Sequence, residues 1–93
     1  MRQYELVAVF PPEEELFRQG KEAVAAELAK QGAADVKETD MGDRQLAYVI
    51  KKKERGHYIL FTMNLDPQKV TPAERMFKLN QNLLKYLFVN AEA

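Results

Sequence analysis

Four basic side chains fall within five residues at Lys51-Lys52-Lys53-Glu54-Arg55, and His57 and Tyr58 follow closely. Such a set is suited to recognition: cations hold phosphates, and flat rings stack on bases. The bland alternative is a solvated turn, because like charges on a protruding loop are kept apart by water. Arg44 stands at the other end of the same run. Each phosphate contact adds about 0.9 to the salt slope of duplex binding, so a patch of this size binds weakly unless a second protein shares the contact.

Catalytic chemistry has little to stand on. His57 is the only histidine, and the chain contains neither serine nor cysteine. Serine and thiolate nucleophiles, thiolate zinc sites and disulfides are therefore excluded. The acidic run Glu13-Glu14-Glu15 does not converge on a metal, since consecutive helical residues point about 100° apart. It reads as a solvated helix start matched to the helix dipole. Small hydrolases of acyl phosphates on a βαββαβ layout need an anion cradle after the first strand, and here that place is Pro11-Pro12-Glu13-Glu14-Glu15, which repels phosphate. No catalytic residue, metal ligand or cofactor is assigned, and the chain is read as a non-enzyme.

The element that positions the basic cluster is a β-hairpin between Asp40 and Leu65. Its arms, Arg44 to Lys51 and His57 to Leu65, are rich in β-branched and aromatic residues. The segment Lys52 to Gly56 is expected as a five-residue loop whose glycine supplies a positive φ, with His57 at the turn. In the second arm Ile59, Phe61, Met63 and Leu65 share a core face, and Tyr58, Leu60, Thr62 and Asn64 share an open face suited to a partner.

The flanking sequence supplies the support. Gln3 to Phe10 is apolar on both sides and suits a central strand. Pro12 opens a helix to about Gln31, with Leu16, Phe17, Val24, Ala25 and Leu28 as its stripe and Gly32 ending it. Ala33 to Thr39 leads into the hairpin through an early strand around Val36. Asp66-Pro67 turns the chain, and Thr71-Pro72-Ala73-Glu74 reads as a capping box opening a second helix to about Leu84, with Met76, Leu79 and Leu83 buried. Lys85 to Val89 is a final strand. The order β-α-β-β-α-β predicts a ferredoxin-like α+β sandwich: a four-stranded antiparallel sheet with two helices on one face.

Residues 1–93 make one domain, with Met1 to Arg2 and Asn90 to Ala93 expected to be loose. Fourteen basic and fourteen acidic side chains cancel, so the chain lacks the overall charge of an autonomous nucleic-acid binder. No apolar run approaches the roughly 20 residues of a membrane span, and the polar start Met1-Arg2-Gln3-Tyr4-Glu5 does not read as a secretory signal. A cytoplasmic protein is expected.

The run Gly42-Asp43-Arg44-Gln45-Leu46-Ala47-Tyr48-Val49-Ile50-Lys51 resembles the signature of the bacterial small-subunit ribosomal protein six family: Gly, any, basic, polar, Leu, small, Tyr, any, Ile, basic. The opening Tyr4-Glu5, Gly56 before an aromatic strand, and the closing helix and short strand extend the resemblance along nearly the whole chain. It implies a structural constituent of the small subunit, ribosome-associated, that binds the central domain of the small-subunit ribosomal RNA as a heterodimer with ribosomal protein eighteen. RNA-facing candidates are then Arg2, Arg44, Lys51, Lys52, Lys53, Arg55 and His57, and partner-facing candidates are Tyr48, Tyr58 and Leu60. Late in the second helix stand Lys78, Asn80, Asn82 and Lys85 where related chains often carry arginine, and lysine lacks the bidentate fork. The competing reading is a ferredoxin-like regulatory module that binds a small ligand and homo-oligomerises through its open face.

Overall fold

In the computed structural model, which describes residues 1–91, the central element is β1, Arg2–Phe10. Its alternation buries Tyr4, Leu6, Ala8 and Phe10 beneath the helices, while Val7 and Val9 keep the reverse face apolar. A strand apolar on both sides belongs inside a sheet. It pairs antiparallel with β3 (Lys53–Leu65), from Arg2 opposite Leu65 to Phe10 opposite His57. On its other side lies β4 (Lys85–Asn90), with Val9 opposite Lys85. The edge strand β2 (Ala34–Ile50) flanks β3 and completes the order β2-β3-β1-β4. Two helices, α1 (Glu14–Lys30) and α2 (Val70–Leu79), pack on one face, giving the ferredoxin-like sandwich expected from the element order.

The main core joins Ile59, Phe61, Met63 and Leu65 of β3 to Val24 and Leu28 of α1 and to Ala73 and Phe77 of α2. A smaller cluster, Val9, Leu46 and Leu84 with Ile50 and Tyr58 against it, lies on the open side. The long hairpin therefore curls, and its end packs over the start of β4. Without that second cluster the seven residues beyond Arg44 would have no apolar anchor.

Several local expectations are corrected. The hairpin turns through two residues, Lys51 and Lys52, both at positive φ (50° and 66°), with Ile50 paired to Lys53. That is a type I′ turn, whose twist matches the strands it joins. The five-residue loop does not form, and His57 lies within β3 opposite Phe10 and Asp43. Gly56 does not take a positive φ. It is required because a Cβ there would overlap Val9 Cγ1 and stand 3.3 Å from Leu46 Cδ2. The first arm begins ten residues before Arg44, at Ala34, with irregular register at Ala34/Lys37, Asp40/Gly42 and Gln45/Ile50.

The second helix also departs from expectation. Asp66, not Thr71, caps: its side chain accepts the Gln68 N–H and starts a 3-10 turn, Pro67–Lys69, that runs straight into α2. The helix stops at Leu79 because Asn80 turns the chain, accepting from Asn82 N and donating Nδ2 to the Gly20 carbonyl. Its buried residues are Ala73 and Phe77, whereas Met76 and Leu79 face out and Leu83 is buried in the loop that follows. Arg2 and Asn90, expected to be loose, are strand residues, and Glu92 and Ala93 lie outside the described residues.

Candidate nucleic-acid interface

The hairpin turn places the basic side chains, and strand alternation then sorts them by face. Lys53, Arg55 and His57 project to the helix side, and each meets an acid. Lys53 Nζ donates to Glu13 Oε1 at 2.6 Å, across to the start of α1. Arg55 Nε donates to Asp43 Oδ1 at 3.1 Å. His57 Nε2 lies 2.6 Å from Asp40 Oδ1, and its ring stacks on Phe17 with centroids 3.9 Å apart. The hydrogen bond from Lys53 holds the Glu13 carboxyl below its ordinary range. Asp40 is likewise lowered, first by the Gly42 N–H that it accepts and then by His57. Fields that would attract phosphate are largely spent on these neighbours.

Arg44, Lys85 and the turn lysines are arranged differently. Lys51 Nζ donates to the Leu83 carbonyl at 3.2 Å, tying the tip to the loop before β4, and Lys52 is exposed at the apex. On the open side the Arg44 guanidinium sits 5.9 Å from the Tyr58 ring centroid, with Nε donating to the Met41 carbonyl. Lys85 Nζ sits 5.7 Å from the Tyr48 ring centroid. Both distances are within reach of a cation–π attraction, which leaves the positive charge uncancelled. Tyr48 is 63% exposed, so its place in the strand is not explained by core packing. Tyr58 and Leu60 are half-buried on the open face, and a shallow groove of about 180 Å³ runs between Val7, Val9, Tyr58 and Lys85 to Leu87.

The structure thus brings Arg44, Lys51, Lys52, Lys53, Arg55 and His57 to one end of the sheet, though not to one face. Arg2 is not with them. It pairs with Leu65 at the other end of β1, roughly 26 Å away along a nine-residue strand. Nothing local in the sequence marks Lys85 as a site residue, or joins Lys53, Arg55 and His57 to the acids they meet. Alternation counted back from Leu65 through Lys53 would have shown which basics share the helix side. Among the described residues, no group of three or more acidic or histidine side chains is placed to hold a metal ion, and no helix is long and apolar enough to cross a membrane.

The ribosomal protein S6 family model matches residues 3–90. The chain belongs to the ribosomal protein S6 family. A small ribosomal subunit protein bS6 of Treponema denticola is 47% identical over 99% of both chains, and that of Treponema pallidum strain Nichols is 43% identical over the full length of both. A crystal structure of 30S ribosomal protein S6 from Thermotoga maritima superposes with a TM-score of 0.79 at 23% identity, covering 96% of this chain and 86% of that one. The C-terminal domain of the MgtC protein from Mycobacterium tuberculosis shares the fold at a TM-score of 0.57 and 11% identity. The same sandwich thus occurs outside the S6 family, and fold alone does not assign the function. S6 proteins are structural components of the cytoplasmic ribosome and not enzymes, as the signature around Gly42 to Lys51 implied.

Proposed function

We propose that this S6 chain binds the central domain of the small-subunit ribosomal RNA jointly with ribosomal protein eighteen. RNA is held by basic side chains at the hairpin end of the sheet, and the partner sits on the open face at Tyr58 and Leu60, with Tyr48 at the boundary between the two. The observation that carries this reading is an exposed, aromatic and cationic open face on a chain with 14 basic and 14 acidic side chains. A neutral protein gains little affinity from the phosphate field alone, so a second protein must supply charge, and a half-apolar sheet face is where it would dock. Arg2 forms a separate contact at the far end. Lys53, Arg55 and His57 reach RNA only by releasing Glu13, Asp43 and Asp40.

The test is a titration of central-domain RNA over a salt series, with this protein alone and with equimolar ribosomal protein eighteen. Tight, salt-sensitive binding confined to the mixture is expected. Equal binding with and without the partner would overturn the joint mode, and no binding in either case would overturn RNA binding itself.

A further inference from the structure

We propose that Lys85 and Tyr48 form one contact site for single-stranded RNA, in which the ammonium holds a phosphate and the tyrosine ring stacks a base, with Arg44 as the neighbouring phosphate contact. The proposal rests on the RNA-binding reading above and says which part of the surface does the work. Its basis is the sorting of charge across the sheet. On the helix side Lys53 and Arg55 each have a carboxylate within 3.1 Å, and His57 Nε2 lies 2.6 Å from Asp40 Oδ1. On the open side Arg44 and Lys85 stand over aromatic rings, and their charge is available to a polyanion.

The geometry suits a nucleotide better than a protein side chain. Tyr48 projects from the part of β2 between Gln45 and Ile50 where the register with β3 is broken, and its ring is mostly in solvent. Lys85 begins β4 opposite Val9, so a backbone fixed by pairing carries the cation. A flat exposed ring beside a flexible ammonium, with a second cation on the same open face over Tyr58 of β3, two strands from Lys85, is the combination that binds single strands: stacking that any base satisfies, and phosphate contacts alongside it. Glu54 is an acid at the same end, exposed near the turn, and it limits the field.

The test uses the full chain with ribosomal protein eighteen and central-domain RNA. Lys85→Gln and Arg44→Gln should each lower the salt slope by roughly 0.7 to 0.9, while Lys69→Gln, in the 3-10 turn before α2, leaves it near wild type. Tyr48→Ala should weaken RNA binding roughly 5- to 150-fold, and Tyr48→Phe should keep it, because the ring and not the hydroxyl stacks. Partner binding measured without RNA should be unchanged in Lys85→Gln and Tyr48→Phe. If Tyr48→Ala or Lys85→Gln instead weakens partner binding and leaves the RNA slope intact, the site is a protein contact and the proposal fails. It fails also if neither quantity moves while the wild-type pair binds RNA. A wild-type pair that does not bind RNA sinks both this site and the functional reading, a result distinct from either of the others.

Discussion

Gly20 of α1 lies directly against the backbone of Asn82: a Cβ at position 20 would overlap the Asn82 carbonyl oxygen and stand 2.8 Å from Phe10 Cδ1. Asn80 Nδ2 donates to the Gly20 carbonyl at 3.2 Å, so helix and loop are locked at this crossing. Helix propensity favours alanine over glycine by about 1 kcal/mol, yet the backbone oxygen cannot yield as a side chain would. Gly20→Ala is therefore expected to destabilise the fold by about 1–3 kcal/mol, read from the urea midpoint. A gain in stability would show that the loop moves away freely.

The start of α2 offers a choice between two caps. Asp66 accepts the Gln68 N–H at 2.9 Å, whereas Thr71 lies inside the helix and is exposed. Asp66→Ala should cost about 1 kcal/mol and Thr71→Ala under about 0.5 kcal/mol. The reverse order in chemical denaturation would restore the capping box.

The same helix separates burial from hydrophobicity. Phe77 is 2% exposed and Leu79 is 71% exposed. Phe77→Ala is expected to cost about 3–5 kcal/mol through the cavity it leaves. Leu79→Lys should change stability by less than about 0.5 kcal/mol. A large loss at Leu79 in monomer unfolding would mean that its face is covered in solution.

Left-handed lysines at the hairpin turn set up a gain. Lys52 holds φ 66°, where a side chain costs about 1–2 kcal/mol that glycine does not. Glycine loses part of this to its freer unfolded chain. Lys52→Gly should therefore raise stability by about 0.5–1 kcal/mol in a urea titration.

Acid sensitivity follows from the helix-side pairs. Glu13, Glu15 and Asp40 all have carboxyls held below their ordinary values: Glu13 and Glu15 first by side-chain hydrogen bonds from Lys53 and Arg18, and Asp40 first by the Gly42 N–H. Over that range the unfolded chain binds more protons than the folded one, so the stability these groups add is present above the usual carboxylate values and is lost as pH falls through the lowered ones. Unfolding midpoints measured from pH 7 down to pH 2 should fall on the acid side, and Asp40→Asn should make that fall shallower. An unchanged acid limb in the variant would show that the Asp40 carboxylate gains nothing from folding.

What the sequence determined by itself was the order of elements, the fold class and the family. Period-two alternation in Tyr4 to Phe10 and Ile59 to Leu65 names the core face of each strand, and proline and glycine at Pro12 and Gly32 bracket α1. These signals are local, and the Gly42 to Lys51 signature is a string of residue types. Tertiary structure decided the rest. Whether Gly56 or Gly20 is needed depends on what stands opposite, Val9 in one case and Asn82 in the other, and neither neighbour is near in sequence. Charge was legible as a cluster, but its use was not. Glu13 lies 40 residues from Lys53 and Asp40 lies 17 from His57, and only the paired strands and the helix docked beside them bring acid to base on one face while leaving Arg44 and Lys85 uncancelled on the other.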